Sequence, residues 1–305
     1  FGSSTRRSRP RAAHPPSRPT TASSAMDRLA VVARHVVSAA DESQRLAAEP
    51  TAAVMSGAQP ADDDVVICCY MRTAVGRANK GSFKDTPAED MLSPLFTEMI
   101  NRTKIDPKVI GDAQIGNVLQ PTAGGATTRM AMFMSKLPFE IPCVGVNRQC
   151  ASGLQCIANT AAAIRTGTID VGLAGGVESM SMYNIMTAQT PFREKLSPNL
   201  DKVELAKACT LPMGITSENV AEKYGITREQ QDRMAVESHA KAIAAQKNGL
   251  FDEEIVPVKT FIKDKKTGAV QQVTVTKDEG PREGVTMESL AKLKPSFKEG
   301  GSTTA

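Results

Sequence analysis

The chain has 305 residues, enough for one large or two ordinary domains with a sizeable core, and its 41% hydrophobic and 23% charged residues are those of a globular protein. A net charge of +4, much of it from Arg6, Arg7, Arg9, Arg11 and Arg18, and an aromatic fraction of 4% supply no basic stripe with stacking rings, so nucleic acid is excluded as a partner. No apolar run approaches the ~18 residues of a membrane-spanning helix. The six cysteines, Cys68, Cys69, Cys143, Cys150, Cys156 and Cys209, form no CxxC pair and are joined by three scattered histidines, so no metal site is expected. Most of these cysteines lie in apolar patterns, where an inert buried thiol is the default.

The chain opens on Phe1, and residues 1–25 are rich in Arg, Ser, Pro and Ala and contain no acid. Two readings stand: a transit-type presequence, which would direct the protein to a mitochondrion or plastid, or translated leader upstream of a start at Met26. Arg28-Leu29, five further residues, then His35-Val36 resembles an N-terminal peroxisomal targeting signal, although its last position is more often Leu or Ala. Leu29, Val32 and Val36 share one helical face that an import receptor could read; the alternative is an ordinary amphipathic helix. Residues 44–64 read as a polar, Ala-rich linker.

The apolar run Val65–Tyr70 predicts a buried strand. Residues 87–104 have helical spacing, with Pro87 near the start and Met91, Leu92, Leu95, Met99 and Ile100 on one face. Strands are expected at Ala113–Leu119, Ile141–Val146 and Asp170–Val177. Helices are expected at Thr127–Lys136 and at Ser152–Thr166, the latter closed by Gly167. This alternation means βαβ units and a parallel sheet covered on both faces, with functional loops at the carboxyl ends of the strands. Beyond Met180 the pattern becomes mixed. A capping box at Thr227–Gln230 starts a helix that runs to about Asn248 and stops at Gly249. Short strands at Ile255–Val258 and Val273–Thr276 flank a turn at Lys266-Thr267-Gly268.

Cys150 falls where the third strand hands over to a helix of small residues. Unpaired N–H groups and the helix dipole there favour thiolate, the nucleophilic form. The local pattern leaves a second reading open, a small core residue at a helix start. Cys156 is the control: it lies mid-helix, has no dipole advantage and reads as packing. A nucleophile also needs a proton partner. His14 and His35 lie in the leader, and His239 sits among Glu237, Ser238 and Lys241 on a helix, expected to face solvent, so no base is visible.

From Val65 to Ala305 the chain resembles the thiolase family, and within it the peroxisomal-type 3-ketoacyl-CoA thiolases. The resemblance is carried by Arg72-Thr-Ala-Val-Gly-Arg77, Gly81–Thr86, Gly116-Asn-Val-Leu-Gln-Pro121, Val146-Asn-Arg-Gln-Cys-Ala-Ser-Gly-Leu-Gln155, Gly175-Gly-Val-Glu-Ser-Met-Ser181, Leu211–Ala221, Ala291–Pro295 and Gly301-Ser-Thr-Thr-Ala305. It implies a thiolase-like α/β fold: a leader and linker at 1–64, an N-terminal βαβαβαβ domain with a layered sheet at 65–180, and an inserted loop domain at 181–305. It further implies that the chain is an N-terminal fragment, inactive alone, with the last strand of the first domain and a C-terminal half lying beyond 305. That half would supply an Asn, a Gly-His-Pro histidine and a second cysteine.

On the resemblance, Cys150 is the acyl acceptor in thiolytic cleavage of 3-ketoacyl-CoA in fatty-acid β-oxidation. CoA acts as co-substrate, with no bound cofactor, in a peroxisomal homodimer. Met213 matches a loop-domain wall near the thioester, although Met213-Gly214 also reads as a turn before a helix at Ser217. Pro212 stands where several thiolases have His, which points to the broad-chain type. Lys263, Lys265, Lys266 and Arg282 are candidates for CoA phosphates, or else a solvated charged face. Gly175, Gly176 and Glu178 are expected to serve close packing at a strand end, and Cys209 is a candidate oxidation partner for Cys150. Two alternatives stay open: an acetoacetyl-CoA thiolase running Claisen condensation, and a non-catalytic thiolase-fold protein that transfers lipid or binds partners.

Overall fold

The computed structural model describes residues 64–184 and 195–304. The leader, the targeting-like segment 28–36 and most of the linker therefore lie outside the described residues. Residues Asp63–Ala305 form one compact unit.

Its centre is a parallel sheet in the order β2-β1-β3, with β1 at Ile110–Gly116, β2 at Cys143–Val146 and β3 at Val171–Gly176. Ala113 pairs with Cys143 on one side and Leu173 on the other. Parallel neighbours need crossovers, and helices supply them: α2 (Gly125–Met134) joins β1 to β2, and α3 (Ser152–Arg165) joins β2 to β3. A longer helix, α1 (Ala88–Thr103), precedes β1. Side chains alternate along a strand, so β1 serves two layers. Ala113 and Ile115 pack with Leu92 and Phe96 of α1 and Ala131 and Met132 of α2. Gly116, on the opposite face, meets the start of α3. The helices lie within two residues of their expected bounds, and α3 closes as predicted at Gly167, whose φ is +71°.

Val65–Tyr70 departs from expectation. No named strand covers it, and Val66 and Ile67 are 71% and 70% exposed. An apolar run becomes a buried strand only where a neighbour pairs with its backbone. The first pairing here is a single bridge from Arg72 to Ile255. The described sheet thus has three parallel strands rather than four.

After a short 3-10 helix at Pro198–Lys202 come α4 (Glu204–Ala208), α5 (Met213–Tyr224) and α6 (Arg228–Lys247). The predicted capping box is present: the Thr227 side chain accepts from the Gln230 amide, and Gln230 Oε1 accepts from the Thr227 amide at 2.8 Å. The hairpin β4 (Val258–Lys263) and β5 (Val270–Val275) is antiparallel, shifted toward the turn relative to the expected strands. A short helix, α7 (Met287–Ala291), follows.

The hairpin packs onto the segment before α1 and the start of that helix. Ala74, Phe83 and Met91 share a buried cluster with Ile255, Val258 and Val275. Polar ties reinforce it. Arg72 donates to Glu254 at 2.6 Å and in a fork to both oxygens of Asp278 at 2.7 and 2.9 Å. Asp278 also accepts from the Val75 amide at 2.7 Å. Glu279 accepts from the amides of Arg77 and Ser82 and from the Ser82 hydroxyl.

Candidate active site

Cys150 lies on the turn between β2 and α3, at the carboxyl edge of the parallel sheet, and is exposed. Sheets of this type place ligands outside the carboxyl ends of their strands. The turn is tight. Gln149 sits in the left-handed region at φ +48°, a conformation costly for a residue with a Cβ. Three contacts hold it there. The Gln149 amide donates to Asn147 Oδ1 at 3.0 Å, the Ser152 hydroxyl donates to the Gln149 carbonyl at 2.5 Å, and the Arg148 amide donates to Ser152 Oγ at 2.9 Å. Ser152 is the first residue of α3, so Cys150 stands two residues before the helix.

The helix start lies close against β1 because Gly116 has no side chain. A Cβ there would fall 2.6 Å from the Ser152 carbonyl carbon and 2.7 Å from the Gly153 nitrogen. A Cβ on Gly176 would fall 3.3 Å from the Gly116 carbonyl oxygen, tighter than an ordinary contact, and 3.6 Å from the Gly153 Cα. The expected packing role thus fits Gly176. Glu178 does something else: its carboxylate accepts from the Val118 amide at 2.8 Å, the Leu119 amide at 3.4 Å and the Asn117 side-chain amide at 3.1 Å. Sequence reasoning missed the polar ring of Asn117, Asn147, Ser152 and Glu178. The only available signal was that all four fall inside the motif runs.

Of the six thiols only Cys156 is fully buried, and burial pushes that thiol up. Cys68, Cys150 and Cys209 are exposed, which corrects the expectation of mostly buried cysteines. Cys68 surfaces because its apolar run has no strand partner. The Cys209 thiol donates to the Leu205 carbonyl at 3.4 Å, at the end of α4.

Met213 is the first residue of α5, rather than part of a turn before it, and is 70% exposed. Gly214 beside it is buried against the Phe297 ring, which a Cβ there would meet at 2.1 Å. Lys263, Lys265 and Lys266 are exposed at the hairpin turn, where the Lys263 amide donates to Asp85. Arg282 lies past the opposite end of the hairpin, its amide donating to His239 Nδ1 at 3.2 Å. The His239 ring is half-buried against this loop instead of facing solvent freely. Among the described residues no group of three or more His, Cys, Asp or Glu side chains converges as a metal site would, and no helix is long and apolar enough to cross a membrane.

Residues 65–305 match the thiolase N-terminal domain. The chain belongs to the thiolase family. It is 47% identical to the rat peroxisomal 3-ketoacyl-CoA thiolase A over 92% of its own length and 63% of that protein's. It is likewise 47% identical to the human peroxisomal 3-ketoacyl-CoA thiolase, over 92% of this chain and 64% of the human one. The crystal structure of the dimeric peroxisomal thiolase of Saccharomyces cerevisiae superposes with a TM-score of 0.71 at 40% identity, covering 81% of this chain and 61% of the yeast one. A Bacillus anthracis acetyl-CoA acetyltransferase superposes less well, with a TM-score of 0.66 at 34% identity over 79% of this chain and 61% of that one. The chain thus spans somewhat under two thirds of the length of these relatives.

Proposed function

We propose that this thiolase-family protein, in its full-length form, cleaves 3-ketoacyl-CoA thiolytically, with Cys150 as the acyl acceptor. The observation that carries the reading is an exposed cysteine on a strained strand-to-helix turn at the carboxyl edge of the sheet. Its thiolate sulfur attacks the 3-keto carbon, and the bond between C2 and C3 then breaks. The electron pair goes to C2 of the departing acetyl-CoA, which takes up a proton, while the shortened acyl group stays on sulfur as a thioester. CoA, giving up its thiol proton, attacks that thioester and releases the shortened acyl-CoA and the Cys150 thiolate. Covalent capture splits one hard cleavage into two easier steps. The resemblance assigns the proton transfers to a histidine and a second cysteine of a C-terminal half. His239, turned to the Arg282 backbone, is not used.

The names of the rat and human relatives support fatty 3-ketoacyl chains over the four-carbon substrate alone, and support a peroxisomal setting. The Arg28-Leu29…His35-Val36 pattern would engage the import receptor. The yeast relative's dimeric state supports a homodimer. CoA serves as co-substrate with no bound cofactor. Division into an N-terminal domain at 65–180 and an inserted loop domain at 181–305, with Met213 walling the acyl site, belongs to the same proposal. The lysines of the hairpin turn and Arg282 remain the candidates for CoA phosphates.

The test is a chain-length series of 3-ketoacyl-CoA substrates with the full-length protein and its Cys150→Ala variant. Cleavage of medium and long chains by the wild type, abolished in the variant, is the expected result. Activity confined to acetoacetyl-CoA, or activity that survives the substitution, would overturn the reading.

A further inference from the structure

A polar path runs from the end of β3 to the Cys150 turn. Glu178 follows β3 by two residues, and its carboxylate gathers the amides of Val118 and Leu119 with the Asn117 side chain. This fixes the loop that follows β1. The Val118 carbonyl then accepts from Asn147 Nδ2 at 3.1 Å, and Asn147 Oδ1 accepts from the Gln149 amide at 3.0 Å. Gln149 is the left-handed residue directly before Cys150. A non-glycine residue keeps that conformation only where its surroundings hold it. The Asn147 amide is spent at both ends, so its side chain bridges the β1 loop to the strained turn.

We propose that Glu178 and Asn147 are positioning residues that act in series to hold the Cys150 thiol at the start of α3. The hydrogen bonds of Glu178 go to the 117–119 loop and not to Cys150. Glu178 acts through that loop and Asn147. The charge on Glu178 matters because a carboxylate accepts from three donors, whereas an amide in its place turns a donor group toward one of them. The inference rests on Cys150 being the acyl acceptor.

The experiment measures iodoacetamide alkylation of Cys150 in the full-length protein at pH 7 without substrate, read at the Cys150 peptide. Wild type, Asn147→Ala, Glu178→Gln and the double variant are compared. Each single change is expected to slow alkylation about tenfold, because the thiol leaves the helix start. The double variant is expected to slow it about tenfold as well, since both changes break one path. In turnover, kcat should fall by a similar factor with KM unchanged, and the melting temperature should stay within about 3 °C of wild type. Alkylation within twofold of wild type in either single variant, or slowing in the double by the product of the two effects, would overturn the relay. Asn147 and Glu178 are both exposed, and a variant that melts early is assayed at 10 °C under the same criteria. Alkylation needs no turnover, so a wild type without thiolytic activity would retire the proposed function while leaving the relay to be judged.

Discussion

The Cys150 rim and the seam between residues 72–86 and 251–282 are both made of bent backbone, yet they are held in different ways. At the rim the deciding feature is missing matter: Gly116 lets α3 approach β1, and local hydrogen bonds then lock the turn, with Glu178 bracing the loop beside it. At the seam the deciding feature is charge. Arg72 joins Glu254 and Asp278, and Glu279 gathers two amides and a hydroxyl from a loop nearly two hundred residues away. Packing of this kind tolerates no added atom, and the contact itself involves no charge. Ionic ties tolerate small changes of shape and fail in acid. The two regions therefore break under different challenges.

The largest effect is expected at the rim. Gly116→Ala places a Cβ 2.6 Å from backbone that cannot swing aside, so α3 must shift. Overpacking of this kind costs about 3 kcal/mol. Urea unfolding should show a lower midpoint with an unchanged slope, and alkylation of Cys150 should change with it. A wild-type midpoint would mean that the helix start is not held by this contact.

Arg72→Ala tests the seam. Asp278 is only 11% exposed and would keep the Val75 amide but lose its fork of two donors. Removing one partner of a fully buried pair costs 3–5 kcal/mol; with Arg72 30% exposed, about 2 kcal/mol is expected. The same urea titration measures it, and Cys150 alkylation should stay near wild type because the rim does not depend on this pair.

Acid should separate the regions further. The Arg72 guanidinium holds the Asp278 carboxyl below the usual range, against the opposing pull of burial. The Ser302 and Thr303 amides hold Glu218 low, and Lys84 does the same for Asp85. A depressed folded value means stability that is fully present above the unfolded value of about 4 and is lost as pH falls through the folded one. These groups should leave the unfolding midpoint level from pH 7 to 5 and pull it down between pH 4 and 3. In Arg72→Ala that drop should be shallower. An equally steep drop would show that the seam's charge does not set the acid response.

The contrast also explains what could be read in advance. The βαβ order, the helix bounds, the Gly167 stop and the Thr227 capping box were legible because each depends on residues within a few positions of one another. The position of Cys150 at a strand-to-helix junction was legible for the same reason. Val65–Tyr70 was misread because an apolar run does not reveal whether a neighbour pairs with it. The Arg72–Asp278 fork and the Glu178 clamp were not visible because nothing local marks a carboxylate that meets backbone amides about 60 or 200 positions away.

The smallest effect sharpens what the rim requires of its glycines. Gly167 ends α3 at φ +71°, and a Cβ there would meet nothing within 4 Å. Gly116 is the reverse case, outside the left-handed region and with no room. Gly167→Ala therefore adds only backbone strain, about 1 kcal/mol, offset in part by the lower entropy of the unfolded chain. The helix end should remain in place, and Cys150 alkylation should match wild type within twofold. If Gly167→Ala instead cost as much as Gly116→Ala, then left-handed backbone, and not the closeness of α3 to β1, would be what glycine contributes to this part of the fold.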